Sequence, residues 1–386
     1  MIRLHYISPS LLPSRSANSV HVLHQCHGFL QAGVNISLYA KRATVSAGEL
    51  SSAIHRCYGV NVKSWDLVTF YSIFSRADTL KIALISLWPV LRAPRSDLVL
   101  SRNLYAAWIL ATLRRPILFE THQLEYGIRK LMQRWIMTRP WVRTIVISSR
   151  LVACLQEHHS VKVFQPVVLH DAAPDGIRRL QPNDRRHQLA SLLDIPLDDL
   201  KKWNIVCGYF GQMYAGRGIE IIESMAYARP LSLFLVFGGS DADVTTKRAI
   251  APPNLLFMGH VRHKFGLALQ AAVDVLLMPY QRSVSIGVSG HDTARWMSPM
   301  KMFEYLGAGV PIISSDLPVL QEILRDHENA LLVTPDNVDE WISALDLLIN
   351  NTDIADSIGK TAHAEYLGKY TWKRRAESLL SIAGVE

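Results

Sequence analysis

Short apolar runs alternate with amphipathic stretches along almost the whole of this 386-residue chain, and that alternation leaves few folds open. Runs of a few residues rich in Val, Ile, Leu and Phe, bounded by turn residues, read as strands buried on both faces. In the first half they fall at 4–7, 36–39, 98–100, 117–119, 144–147 and 167–169, with amphipathic stretches such as 20–31 and 104–113 between them. Strands that alternate with helices in this way form parallel α/β sheets. The pattern breaks at 170–176 (HDAAPDG), which is turn chemistry. Residues 177–202 are highly charged and read as a solvated connector with a short helix. A second series opens at 204–211 (NIVCGYFG) and continues at 233–237, 255–258, 275–278, 311–314 and 330–333. Two such series predict two doubly wound domains with a cleft between them, and ligands in such folds bind at the carboxyl ends of the strands.

A chain of this length suits two domains of ordinary size. It is 49% hydrophobic and 19% charged, a soluble globular composition. The net charge of +8 and pI near 9.3 favour an anionic partner. Neither a dense lysine run nor an aromatic-basic module is present, so nucleic acid is set aside as a partner. Cys26, Cys57, Cys154 and Cys207 are scattered without a CxxC pair, which argues against a disulfide framework or a zinc site and for a reducing compartment. The N-terminus opens into a strand-like run with no signal peptide, so a cytoplasmic protein is expected. The most apolar window, 80–91 (LKIALISLWPVL), falls short of the roughly 18–20 residues needed to span a bilayer. It can lie on a membrane but not cross one. A second basic stretch carries Arg129, Lys130, Arg134, Arg139 and Arg143 interleaved with Leu131, Trp135, Ile136 and Trp141. It suits either the solvated face of a half-buried helix or contact with an anionic membrane, and both readings stay open.

Three segments carry candidate chemistry. Residues 297–316 (MSPMKMFEYLGAGVPIISSD) read as a loop, a helix, a glycine exit at Gly307 and Gly309, and a buried strand at Ile312 and Ile313. Glu304 is the lone carboxylate of that helix and stands near Lys301, an arrangement that suits hydroxyl-rich ligands. Residues 208–218 (GYFGQMYAGRG) form a glycine-rich turn before the amphipathic helix 219–227. A helix N-terminus behind such a turn presents N–H groups to an anion, and Arg217 adds a fork of donors. A plain turn with a surface arginine is the alternative. At 119–125 (FETHQLE), His122 stands at the carboxyl end of a strand, with Glu120 placed to orient it or to cap the following helix.

The 297–316 run closely resembles the donor-binding segment of retaining GT-B glycosyltransferases of family 4, the group-1 glycosyl transferases, in a subgroup with an SPxKxFEY version of the motif. The resemblance spans nearly the whole chain and is strongest over 204–324. It implies an α/β GT-B fold, two Rossmann-like doubly wound domains facing a central cleft. Residues 1–171 with a returning helix at 372–386 would form the acceptor side, and 172–371 the nucleotide-sugar domain. It implies transfer of a sugar from a UDP- or GDP-sugar to a glycan or lipid-linked acceptor, with retention of configuration and with no metal and no cofactor. Bacterial surface polysaccharide or glycoconjugate synthesis is the expected setting, in the cytoplasm or on the cytoplasmic face of the inner membrane.

Residue by residue, the resemblance assigns Gly211, Gln212, Arg217, His260, Met300, Lys301 and Glu304 to the donor nucleotide and its phosphates, although His260 reads equally well as a strand-end residue bonding backbone. His122, Glu304 and Asp292 are its catalytic candidates. Arg15, Asn18, Glu120 and His122 fall on the acceptor side, where Asn18 and Ser19 read equally well as a helix N-cap. The chain departs from the pattern in four places. Trp296 stands where the family has a sugar-binding glutamate, Gln212 replaces a cation, Pro299 cannot donate an amide hydrogen, and 14–19 lacks a glycine pair. The glycine-rich stretch 285–292, through His291 or Asp292, is the expected substitute wall for the sugar, with a mobile surface loop as the equal alternative. Two alternatives share these features: a nucleotide-sugar 2-epimerase of the same fold, and a non-catalytic scaffold that binds a sugar nucleotide or a membrane.

Overall fold

The computed structural model describes residues 2–72, 75–285 and 292–384 of the chain. The chain divides into two compact units, Met1–Asp175 with Thr371–Glu386, and Gly176–Tyr370.

The first unit runs β1 (Arg3–Leu12), α1 (Ala17–Gln31), β2 (Asn35–Arg42), α2 (Leu50–Tyr58), β3 (Asp66–Tyr71), α3 (Ser75–Arg92), β4 (Leu98–Ser101), α4 (Leu104–Thr112), β5 (Ile117–Thr121), α5 (Ile128–Met137), β6 (Val142–Val146), α6 (Ser149–His159) and β7 (Val167–Val168). The second runs α7 (Pro182–Leu193), α8 (Leu197–Lys201), β8 (Ile205–Phe210), α9 (Ile219–Ala228), β9 (Ser232–Phe237), α10 (Asp241–Arg248), β10 (Leu255–Gly259), α11 (His263–Ala272), β11 (Val275–Met278), α12 (Met300–Ala308), β12 (Ile312–Ser315), β13 (Leu331–Val333), α13 (Val338–Asn350) and α14 (Thr352–Lys369). The last helix, α15 (Trp372–Ile382), belongs to the first unit.

The seven strands of the first sheet lie in the order β3-β2-β1-β4-β5-β6-β7 and the six of the second in the order β10-β9-β8-β11-β12-β13. Every pairing is parallel, with Leu4 in register with Ile36 on one side and Leu98 on the other. Each sheet winds outward one way and then the other, so its strand order reverses once, between β1 and β4 in the first and between β8 and β11 in the second. Crevices open at such reversals, beyond the carboxyl ends of the strands. The central strands carry the cores. Tyr6, Leu38, Leu100 and Leu118 are buried in the first unit, and Cys207, Phe234, Val236 and Leu277 in the second. Each fully buried large apolar side chain contributes roughly 1.5–3 kcal/mol, against roughly 1–2 kcal/mol for ordering one residue of backbone. Strands buried on both faces therefore carry the ordering cost of the loops that hold the sites.

The sequence pattern and the structure differ at four points. β3 has no continuous apolar run because it is a half-exposed edge strand, and the pattern passes over it. Residues 177–202 hold two helices, and α7 packs on α11 with Arg185 buried, so this stretch is part of the second unit and not a solvated connector. Gly309, with φ 64°, makes the exit of α12, whereas Gly307 lies inside that helix, where a Cβ would come 2.9 Å from Ile177 and 3.3 Å from Tyr366. Ser16, not Asn18 or Ser19, caps α1 by accepting from the Asn18 amide at 3.2 Å.

α15 docks on α1 with the two backbones nearly touching. A Cβ on Gly28 would fall 2.3 Å from the Trp372 carbonyl oxygen, so only glycine lets the two helices meet. Gly28→Val is expected to lower the urea midpoint of the first unit by the equivalent of roughly 1–3 kcal/mol. Gly48→Ala, at a position with nothing within 4 Å, should leave the midpoint unchanged.

Candidate functional site

Charged and polar groups gather at the carboxyl ends of both sheets, and each cluster is built within its own unit.

In the second unit, the turn after β8 and the segment after β11 meet at the point where strand order reverses. Two glycines allow it. Gly218 has φ 75°, and a Cβ there would lie 1.8 Å from the Pro279 carbonyl oxygen, so the turn can pass the end of β11 only as glycine. Gly211 follows β8, and a Cβ on it would come 2.7 Å from the Lys301 amine. Arg217, on the turn, donates from Nη1 to the Tyr280 hydroxyl at 2.9 Å. Lys301, in the first turn of α12, holds Nζ 4.0 Å from the centre of the Tyr209 ring and 5.0 Å from that of Tyr280. Lys301 Nζ and Arg217 Nε are both buried and have no hydrogen-bond partner among the described residues. Burial first, and the Arg217 guanidinium second, push the Lys301 ammonium well below its ordinary pKa, with Glu304 opposing them.

Glu304 lies one turn further along α12 and is buried. Its Oε1 is 2.7 Å from His263 Nε2, and its Oε2 accepts from the Gln270 side chain at 3.1 Å. His263 and Gln270 stand seven residues apart on α11, two turns along one face. Burial works to raise the Glu304 carboxyl, but attraction to His263 and the bonds from His263 and Gln270 outweigh it and hold it below the usual range. Each oxygen, with one protein donor already in place, keeps one lone pair for a ligand.

Gly211, Arg217, Lys301 and Glu304 thus come together, joined by Tyr209, Tyr280, His263 and Gln270, which the sequence did not single out. The seven-residue spacing of His263 and Gln270 was the one available signal. Gln212 contributes backbone, its carbonyl accepting from the Tyr209 hydroxyl at 2.7 Å. Met300 is half-buried at the start of α12, and Pro299 is its N-cap residue. His260 is exposed, just past the end of β10. Asp292 is engaged locally: its Oδ1 accepts from the amides of Val284 and Ala294, each at 2.9 Å. Burial acts to raise that carboxyl, and these amides outweigh it and hold it low. His291, with the rest of 286–291, lies outside the described residues. Trp296 is half-buried in the turn that precedes α12.

In the first unit, Glu120 of β5 is a fully buried carboxylate. Arg375 of α15 reaches it at 3.3 Å and also donates to Gln25 and, at 2.8 Å, to the His170 carbonyl. His122 Nε2 is 2.6 Å from Glu120 Oε1. His21 of α1 lies between two carboxylates, with Nε2 3.0 Å from Glu120 and Nδ1 2.9 Å from Asp171, contacts at ion-pair distance although neither is aligned as a hydrogen bond. Arg102, just past β4, approaches His122 Nδ1 at 3.2 Å. An arginine can only donate, so Nδ1 accepts and the ring proton sits on Nε2, directed at Glu120. Burial first, then Arg102, push His122 down to about 4 against the pull of Glu120 and Asp171. Its lone pair and its proton are both committed, which suits a fixed polar contact and not proton transfer. Arg15 is exposed, and Asn18 donates to Ser10 at 2.7 Å, tying β1 to α1.

His21, Glu120 and His122 each offer one ligand atom, and these atoms lie within 4.8 Å of one another, a spacing that would admit a metal ion. The proton count does not fit one. With Arg102 on Nδ1, His122 could ligate through Nε2 only as a doubly deprotonated ring, and Arg375 already neutralises Glu120.

Acid should weaken this unit. The unfolded chain protonates His122 near the ordinary 6.5, the folded chain only near 4, so folding loses stability as pH falls through that window. Glu120 has the same sign: its carboxyl is held well below normal by Arg375, His21 and His122 despite burial, and that stabilisation is lost toward low pH. The urea midpoint of the first unit is expected to fall between about pH 6.5 and 4, with a shallower slope in His122→Gln. An unchanged slope in that variant would contradict the assignment.

Residues 244–381 match the family model described as glycosyl transferase-like. A segment of 125 residues is 26% identical to "Putative teichuronic acid biosynthesis glycosyltransferase TuaH" of Bacillus subtilis (strain 168), covering 32% of this chain and 30% of that protein. The chain thus spans under a third of that relative's length. Among solved structures it is similar to sucrose-phosphate synthase from Thermosynechococcus elongatus, with TM-score 0.72, 16% identity, and 100% and 98% of the two chains covered. It is also similar to Anabaena Alr3699/HepE in complex with UDP, with TM-score 0.70, 14% identity and all of both chains covered. The architecture, two parallel α/β Rossmann-like sheets of seven and six strands, is the GT-B fold.

Proposed function

We propose that this chain is a glycosyltransferase that moves a sugar from a nucleotide-diphosphate donor to a glycan or lipid-linked acceptor. The observation that carries the reading is the pair of cations at the reversal of the second sheet. Arg217 and Lys301 each keep a buried nitrogen without a partner among the described residues, beside the N-terminal ends of α9 and α12, where helix amides and dipole favour an anion. A diphosphate supplies the missing acceptors. Glu304, oriented by His263 and Gln270, then offers its remaining lone pairs to the ribose hydroxyls.

In the transfer, the bond from the anomeric carbon to the diphosphate oxygen breaks as the bond to the acceptor oxygen forms, and the acceptor proton passes to the departing diphosphate. Negative charge grows on that diphosphate, and Arg217 and Lys301 are fixed where it develops. The two cations do the work that a divalent metal does in other sites, which supports a metal-independent reaction. Retention of configuration follows the resemblance of 297–316, as does assignment to family 4. A UDP-linked donor and a role in surface polysaccharide synthesis accord with the UDP named for HepE and the teichuronic acid named for TuaH.

Losing one charge-assisted contact of this kind costs about 1.5–3 kcal/mol, or roughly 10- to 150-fold in affinity. Arg217→Ala and Glu304→Ala are each expected to weaken donor binding on that scale while keeping wild-type circular dichroism. Across a panel of UDP- and GDP-sugars, free nucleoside diphosphate should be released only when acceptor is present. Product without acceptor would point to an epimerase, and binding without turnover to a scaffold. Wild-type behaviour of both variants would sink the site.

An acceptor carried by a lipid fits the outer face of the first unit. α3 exposes Leu84, Trp88 (65% accessible) and Leu91, and α5 exposes Ile128 (72%), Leu131 and Trp135, in each case one helical face. α4 packs between these two helices. Arg92 stacks 3.4 Å from the Trp88 ring and Arg139 3.8 Å from the Trp135 ring, so cations flank the apolar face. No helix among the described residues is long and apolar enough to cross a membrane. Tryptophan beside arginine on an amphipathic helix suits an anionic lipid surface. The chain should sediment with phosphatidylglycerol vesicles but not phosphatidylcholine ones, and less so in high salt. Trp88→Glu with Trp135→Glu should abolish it. Failure to sediment with anionic vesicles at low salt would remove this part of the reading.

A further inference from the structure

Lys301 is held in a setting that is poor for a cation and good for a neutral amine. Its Nζ is buried and has no acceptor among the described residues. The groups that face it come from every element around it. Tyr209 of β8 and Tyr280 after β11 present ring faces, Arg217 presents a like charge, and Gly211 presents only backbone. Glu304, on the same helix, is the nearby carboxylate; each of its oxygens already has one partner on α11, His263 or Gln270, and it opposes the depression of Lys301 without forming an ion pair with it.

Magnitudes decide which form of the amine prevails. A ring face favours an ammonium by about 0.5–2 kcal/mol. Removing an uncompensated ammonium from water costs several kcal/mol, and the Arg217 guanidinium adds repulsion. The unfavourable side is larger while the site holds no anion. A diphosphate reverses the balance, because it brings at least two negative charges to the same spot and accepts from the ammonium directly.

We infer that Lys301 is a neutral amine in the empty donor site and takes up one proton from solvent when a diphosphate binds. This rests on reading the pocket as a diphosphate site, and adds that the second of its two cations is made on binding. The empty pocket then holds one buried charge and not two, and the full attraction appears only with the donor present. The depressed ammonium of Lys301 has the same direction.

Calorimetry of UDP and of inorganic pyrophosphate in two buffers of different ionisation enthalpy counts the protons. At about pH 8 UDP is fully ionised, since its last phosphate ionisation lies near 6, so uptake on binding UDP belongs to the protein; pyrophosphate still carries a proton at that pH and shows only whether a diphosphate alone binds. Wild type should take up a fraction approaching one proton per UDP. Lys301→Met should bind at least tenfold more weakly with no uptake. Lys301→Arg should bind more tightly than Lys301→Met, again with no uptake, because guanidinium stays charged. Wild-type binding with heats independent of buffer would overturn the inference and leave the donor site standing. Uptake that persists in Lys301→Met would overturn it too, by assigning the proton elsewhere. Absence of binding by either ligand would overturn the donor site and the inference together.

Discussion

Buried basic groups without an ion-pair partner among the described residues, held at the carboxyl ends of β8 and β11, are the constraint on which the rest of this structure depends. A folded chain ordinarily pairs its buried charges. Here Arg217 leans on the Tyr280 hydroxyl, Lys301 leans on two tyrosine rings, and neither forms an ion pair among the described residues. The surrounding sequence serves that arrangement. Gly211 leaves room for the lysine amine, Gly218 lets the turn pass Pro279, and strands β8 and β9, buried along their whole length, keep the turn in place. On the proposed function, a bound diphosphate relieves that local cost.

The first unit solves the opposite problem. Glu120 is a buried negative charge, and it is satisfied many times over by groups from distant parts of the chain. Arg375 arrives from α15, His21 from α1, and His122 from the turn after β5. Removing Arg375 would leave that carboxylate buried and underpaired, the kind of loss that costs several kcal/mol. The C-terminal helix is therefore part of what holds His122 in place, through a chain of contacts from Arg375 to Glu120 to the imidazole. The two clusters are complementary in kind. In one the buried charge is paired; in the other two buried nitrogens have no partner among the described residues.

Much of this was legible in the residues. Twelve of the thirteen strands announce themselves as apolar runs because strands buried on both faces have no room for polar residues. β3 escaped because an edge strand is half-exposed and carries a mixed pattern. Arg217, Lys301 and Glu304 were visible because a glycine turn and a helix start carry local signatures. Their partners were not. Tyr209 and Tyr280 look like ordinary core aromatics in sequence, and Arg375 lies 255 residues from the glutamate it pairs with. Contacts of that range leave no spacing to read. The charged stretch 177–202 misled for a related reason: Arg179 and Arg185 both donate to the Gly309 carbonyl and Arg179 also pairs with Asp356, so these arginines serve packing while Asp184, Asp198, Asp199 and Lys201 stay exposed.

On the proposed function, the site beside Arg217 and Lys301 takes a diphosphate. The most direct measurement compares the affinity of a nucleoside with that of its diphosphate, uridine against UDP, across a range of salt. The diphosphate is expected to add at least tenfold to the affinity, an advantage that shrinks as salt rises because it is electrostatic. Equal affinity for uridine and UDP, unaffected by salt, would contradict it.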